Sequence, residues 1–359
     1  MTSSESTPTS WLATIKSFAH PRVVTLLFLG FSAGIPLLLI FSSLGLWLRE
    51  AGIERGTVTY FSWAALGFSF KFVWAPLVDQ LPVPLLSRLL GRRRGWMLLA
   101  QLLIMLSIGL MASIDPQADS QGLILMGIAA VVLGFSAATQ DIAIDAYRIE
   151  SAGAEWQALM SASYIAGYRI AMLVSGAGSL FMADWLGSNA DNYSYPAWQM
   201  TYLAMALMML VGVITTLTIK EPATQATTFL AKDARDYQRI LTLFGLVVGA
   251  LIATFYVSSD LAFELKNQLS DIFASPHLAG FVISFMRLCL AIAVAWVSVL
   301  GLIKLGVVEH QTLDQTYIAP AREFFQRYGF SLAWLLLALV GLYRISDIVL
   351  GVISNVFYY

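Results

Sequence analysis

An all-α protein that crosses a membrane many times is predicted by three observations. Of 359 residues, 58% are hydrophobic and only 12% are charged, about half the charge of a soluble domain. Mean hydropathy is +0.74. The apolar residues are gathered into runs of about 20, the length a helix needs to cross a bilayer. The lipid bilayer is therefore an expected partner. A net charge of -1 gives no reason to expect nucleic acid, and no cofactor is expected. The lone cysteine, Cys289, sits in an apolar run, so no intrachain disulfide can form. The opening segment MTSSESTPTSWLATIKSFAHPR lacks the basic start, apolar core and cleavage site of a secretory signal.

In order, the runs predict spans at Val23–Leu48, Thr57–Val78, Trp96–Ile114, Leu123–Ala146, Ala158–Ala183 and Thr201–Ile219. Three more follow at Ile240–Val257, Leu278–Val308 and Phe330–Tyr359. The basic residues orient them. Lys16 and Arg22 precede the first span, and Arg88, Arg92, Arg93 and Arg94 lie between the second and third. Lys220, Lys232, Arg235 and Arg239 follow the sixth; Lys304, Arg322 and Arg327 precede the ninth. The loops Asp115–Gly122 and Asp184–Trp198 hold no Lys or Arg. All these clusters fall on one side if the N-terminus is cytoplasmic. Arg49 and Arg55 are the exception, offset by Glu50 and Glu54.

This divides the chain into six spans at 1–221, mixed-charge linkers around a helix pair at 222–329, and one further helix at 330–359; the resemblance set out below makes these a six-helix transporter half, an inserted pair and the first helix of a second half. The inserted pair is joined by a polar connection around Asp260–His277. The first and last spans share a break near mid-helix, GFSAGIP in one and GLYRISD in the other, a weak internal repeat of the kind transporters show.

Gly30-Phe31-Ser32-Ala33-Gly34 fits the nucleophile pattern G-x-S-x-G. That chemistry needs a strand-to-helix elbow with an acid and a histidine, whereas this motif lies inside an apolar span. The same residues spell G-x-x-x-G, which favours close helix packing, and Pro36 favours a bend. A membrane enzyme should carry a loop-borne acidic or histidine motif, and none is visible.

Charged residues inside apolar spans point to function, because each is costly in hydrocarbon without a partner. Asp79 ends the second span three residues after Pro76, and Gly91-Arg92-Arg93-Arg94 opens the third. An acid at a helix end beside an arginine cluster suits an ion-pair gate, with Asp79, Arg92 and Arg93 as candidates. Basic-loop anchoring explains the arginines equally well but not Asp79. The pattern partly resembles the loop signature of the major facilitator superfamily, with QLPVPLLSRLL inserted, and Ile219-Lys220-Glu221-Pro222 resembles its Pro–Glu element in reversed order.

The stretch SAATQDIAIDAYRIE places Asp141 and Asp145 four apart on one helix face, with Arg148 three beyond Asp145. Lys71 lies eight residues before Asp79, and Asp141 seven before Arg148, so Lys71 and Asp141 sit at similar depth. A Lys71–Asp141 pair is expected, either locking two helices or serving function. Arg169 and Arg344 lie deep in their spans and suit a carboxylate-bearing anion. Arg344 has Asp347 three residues on, so the two could instead pair with each other. Arg287 has no obvious partner.

SAATQDIAIDAYRIE, YRIAMLVSGAGSLFMADWLG, FKFVWAPLVD and GLYRISDIVLGVISNVFY resemble the AmpG-type muropeptide permeases, in the peptide–acetyl-coenzyme A transporter branch of the major facilitator superfamily. The resemblance runs from about His20 to the C-terminus. It implies a multi-pass protein of the bacterial inner membrane. It implies proton-driven import of N-acetylglucosaminyl-1,6-anhydro-N-acetylmuramyl peptides for cell-wall recycling, feeding β-lactamase induction in many members. In that architecture the fourth helix lines the central cavity. Gln140 and Tyr147, with Arg169 and Arg344, become substrate-binding candidates. Asp141, Asp145 and Asp347 become proton-coupling candidates, and Lys71, Asp79, Arg92, Arg93 and Arg148 ion-pair or gating candidates; which carboxylate titrates stays open. Members have a complete second half whose later helices are absent here, so activity is expected to require it. A carrier of another bulky anion, such as an acyl-coenzyme A, or a remnant that does not transport, are the alternatives.

Overall fold

The computed structural model describes residues 17–54, 64, 67–68, 71–189, 191–223, 234–273, 276–304, 314 and 318–339. They are helical almost throughout, and the chain divides into two compact units between Phe229 and Leu230.

The first unit is built from α1 (Pro21–Glu50), α2 (Lys71–Gln80), α3 (Arg92–Ala112), α4 (Ser120–Ser151), α5 (Ala154–Trp185) and α6 (Tyr195–Thr218). All but the ten-residue α2 are long and apolar enough to cross a membrane. Their starts are chemically marked. Pro21 opens α1, where its missing N–H costs nothing, and His20 Nδ1 accepts from the Arg22 amide. Asp119 caps α4 by accepting from the Gly122 amide. At 32 residues, α4 is about 48 Å long. That exceeds the ~30 Å hydrocarbon layer, so part of the helix extends beyond it.

The most extensive packing in this unit joins α1 to α5. Small residues allow it. A Cβ on Gly30 or Gly34 would run into the carbonyl oxygens of Tyr164 or Tyr168, and one on Gly167 into that of Leu27. The glycines of the G-x-S-x-G look-alike are thus a helix-packing seam.

Beyond Pro36 the regular ladder of α1 widens into a π turn at Leu39–Ser43, and α5 does the same at Val174–Gly178. The two turns face each other. Ser43 Oγ donates to the Ser175 carbonyl at 3.0 Å and lies 2.8 Å from Ser179 Oγ. A core of Ile35, Leu39, Trp47, Ile104, Leu133, Trp198 and Tyr202 fills the interior.

The second unit contains α7 (Ala234–Val257), α8 (Ser259–Phe273), α9 (Pro276–Lys304), α10 (Ala319–Tyr328) and the helical segment α11 (Phe330–Leu339). Leu243 of α7 packs with Val299 and Leu302 of α9. The polar connection expected near Asp260–His277 is mostly helix instead. Leu261, Leu265 and Leu269 recur at helical spacing and give α8 one apolar face. Arg287, for which the sequence offered no partner, donates to Ser258 Oγ at 3.0 Å.

Candidate functional site

Three helices of the first unit bring together a cluster of ionisable groups. Lys71 opens the described part of α2, and its Nζ lies 3.9 Å from Asp141 Oδ2 on α4. The next turn of α2 holds it there. Trp74 Nε1 donates to Thr139 Oγ1 at 3.1 Å, and the Trp74 ring stacks on Phe135 at 4.9 Å. From α5, the Tyr164 hydroxyl donates to Asp141 Oδ1 at 3.2 Å. Asp141 is thus clasped between a cation and a phenol. Its side chain is 14% exposed, against 38% for Lys71. Tyr164 had no signal in the sequence beyond its position on a span.

One turn on, Asp145 is half-exposed and pairs with Arg148 at 3.3 Å. Arg148 also donates to Gln157 Oε1 at 3.0 Å and to Ser161 Oγ at 2.9 Å, joining the end of α4 to the start of α5.

A second cluster closes the end of the unit that carries the basic residues. The three arginines of GRRR divide the work. Arg93, 6% exposed, donates from Nε to both Glu150 oxygens at 3.1 and 3.0 Å, from Nη2 to Glu150 Oε1, and from Nη1 to Asp79 Oδ1 at 2.6 Å. Arg92 lies 3.5 Å from Glu150. Arg94 turns away and donates to the carbonyls of Thr216 and Leu217, both at 2.8 Å. Glu221, just past α6, accepts from the backbone amides of Arg93 and Arg94 at 2.7 and 3.1 Å, capping α3 where no local side chain does. Gly91 takes φ 94° at this join, and a side chain there would strike Glu221. Asp79, Arg92, Arg93 and Arg148 therefore bind four helix ends together.

The opposite end is held by aromatic and neutral groups around two carboxylates. Glu50 Oε2 accepts from Trp198 Nε1 and Ser188 Oγ, both at 2.8 Å. Trp47 donates to Tyr193 at 3.3 Å, and Tyr193 donates to Asp115 at 2.9 Å. Burial pushes the Tyr193 phenol above its ordinary range, and the Asp115 carboxylate adds to that, while the Trp47 hydrogen bond opposes it.

Other candidate residues lie elsewhere. Gln140 is fully buried and donates to Ser32 Oγ at 2.7 Å. One residue along a helix turns the side chain by about 100°, which takes Gln140 off the face of Asp141. Tyr147 is also buried, its hydroxyl reaching the Lys220 carbonyl at 3.4 Å. Arg169 is exposed, with Met172 Sδ at 3.9 Å. Arg344 and Asp347 lie outside the described residues.

The family model described as acetyl-coenzyme A transporter 1 matches residues 22–240, well over half of the chain. The chain belongs to this family. The match takes in α1 to α6 and every cluster described above. A Rickettsia felis protein carrying the provisional name transporter AmpG 4 is 38% identical over 206 residues, 57% of this chain and 47% of that protein. The anhydromuropeptide permease of Escherichia coli strain K12 is 37% identical over 209 residues, 58% of this chain and 39% of the relative. The chain thus spans less than half the length of these relatives. Among the described residues six helices are long and apolar enough to span a bilayer, so this member of the acetyl-coenzyme A transporter family is an all-α, multi-pass membrane protein.

Proposed function

We propose that this chain supplies the first six-helix half of a proton-coupled importer of anhydromuropeptides in the bacterial inner membrane, with its N-terminus cytoplasmic. The observation that carries the reading is the Lys71–Asp141–Tyr164 cluster, a set of ionisable groups held between three helices inside the segment that the family model matches. Asp141 is the proton-coupling carboxylate and Lys71 its counter-ion, released when Asp141 is neutralised. Asp145, partly exposed on the same face of α4, and Arg169 face substrate. The Asp79–Arg93–Glu150 cluster is a gate on the cytoplasmic side. Alternating access needs a second half to rock against this one, so transport belongs to the chain joined to such a half.

The test is uptake of labelled anhydromuropeptide into energised vesicles, with and without a proton uncoupler. The chain alone is compared with the chain continued by the second half of a related permease. Uncoupler-sensitive uptake by the completed protein alone is expected. A folded, completed protein with no specific uptake would overturn the substrate. The family description favours a second reading, acetyl-coenzyme A as cargo. Uptake of labelled acetyl-coenzyme A instead of muropeptide, in the same vesicles, would select it.

A further inference from the structure

Beyond residues 22–240, which the family model matches, α10 (Ala319–Tyr328) is sharply two-sided. At about 100° per residue, Phe324, Phe325 and Tyr328 fall within one arc of about 100°. Arg322, Glu323, Gln326 and Arg327 fill the opposite side. That polar side is solvated. Arg322, Glu323 and Arg327 are each more than half exposed, with Arg322 3.2 Å from Asp314 and Arg327 paired to Glu323 one turn earlier. The aromatic side is not sealed by protein either: Tyr328 is 42% exposed, and Phe324 and Phe325 are half-buried.

A single residue, Gly329, separates α10 from the apolar α11 (Phe330–Leu339). It takes φ 72°, a conformation that suits glycine, and the chain changes direction there. The change is sharp. Phe325 and Trp334 would lie about 13.5 Å apart along a straight helix, yet their ring centroids are 5.8 Å apart. Phe330 sits between them, 5.8 Å from Phe325 and 6.1 Å from Trp334. The aromatic side of α10 is therefore level with the first two turns of α11. Those turns themselves present Phe330, Leu332, Trp334 and Leu335 outward, each 47% exposed or more.

We propose that α10 lies flat in the surface of the bilayer that α11 enters, its aromatic side against lipid and its Arg322–Arg327 side in water. The partner is the lipid itself, at the boundary between headgroups and acyl chains. Two observations choose lipid. The apolar side of α10 runs without interruption across Gly329 into the outward apolar surface of α11, in a chain whose long helices span a membrane, so what covers one covers the other. The rings also suit that depth, since Tyr and Trp gather at membrane–water boundaries and a two-sided helix buries only its apolar face there. The attachment is apolar rather than ionic. Arg322 and Arg327 each already face a carboxylate, which leaves the polar side with little net charge for anionic headgroups. The inference is independent of the transport reading.

The test places a nitroxide on each side of α10 in the full chain, reconstituted into phosphatidylcholine vesicles. In a Cys289→Ser background, Tyr328→Cys labels the aromatic side and Gln326→Cys the polar side. Collision rates with oxygen, which concentrates in lipid, and with a water-soluble nickel chelate give the depth of each label. The oxygen-to-nickel ratio is expected to be severalfold higher at Tyr328 than at Gln326. Equal ratios with free access of nickel to both would lift the helix off the bilayer and overturn the proposal. A Tyr328 label shielded from both reagents would overturn it too, because protein would then cover the aromatic side. Should the Tyr328 label loosen the helix, Phe324→Cys reports on the same side. Adding phosphatidylglycerol should leave the ratios unchanged; immersion only in anionic vesicles would overturn the apolar attachment.

Discussion

Glu221 Oε1 accepts from the backbone amide of Arg93 at 2.7 Å, across 128 residues of sequence. The carboxylate serves as the N-cap that α3 lacks locally, and its negative charge sits at the positive end of the helix dipole. Glu221→Ala should cost about 1–2 kcal/mol of stability, with Glu221→Gln between it and the parent. Thermal unfolding in detergent measures both. Equal midpoints for all three would show that the cap contributes nothing.

Removing Arg93 should cost more. Its guanidinium is almost fully buried and meets Glu150 and Asp79 together. Breaking a buried ion pair from one side costs about 3–5 kcal/mol. Arg93→Lys should recover only part of this, because an ammonium cannot reproduce the fork that meets both Glu150 oxygens. A lysine variant as stable as the parent would contradict the geometry.

The glycine seam between α1 and α5 makes a prediction with an internal control. Gly167→Ala must push against the Leu27 carbonyl, which is backbone and cannot swing aside. A loss of about 1–3 kcal/mol is expected. Gly45→Ala, with nothing within 4 Å of the added carbon, should leave the unfolding midpoint unchanged or raise it.

In a completed transporter, Asp141→Asn should abolish uncoupler-sensitive uptake, whereas Asp145→Asn should leave the coupling and lower only the rate. Tyr164→Phe removes one hydrogen bond to a charged group, worth about 1.5–3 kcal/mol, and should change the pH dependence of uptake. Identical pH profiles for Tyr164→Phe and the parent would place Asp141 outside the coupling step.

Tyr193 sets a pH dependence at the opposite end. Its folded pKa is raised, so its contribution to stability is complete below the unfolded value, roughly pH 10, and fades as pH climbs towards the folded one. The parent should therefore exceed Tyr193→Phe in thermal midpoint at neutral pH, with the gap narrowing above that value. A gap constant through the alkaline range would contradict the shift.

The nearness of Lys71 and Asp141 was legible because helices fix depth at a constant rise per residue, so counting back from Asp79 and Arg148 put the two at one level. Direction around the helix is a separate matter. Gln140 adjoins Asp141 in sequence yet points into the interior, since only packing against Ser32 decides which face is inside. The partners of the arginine triplet were hidden for another reason. Glu150 and Glu221 are brought to Arg93 by tertiary structure from positions far along the chain. For α8 the signal was present: leucines at helical spacing were masked by the charges between them.

The facing π turns of α1 and α5 have a mechanical consequence. Each turn is a place where a helix can change direction with little loss of hydrogen bonding, and the two stand at the same level, bridged by Ser43 and Ser179. On one side of that level the glycine seam leaves no room for the helices to slide apart. The pair therefore has the form of a jointed rod with a shared elbow: a bend in one member at this level would carry the other with it through the Ser43–Ser179 contact.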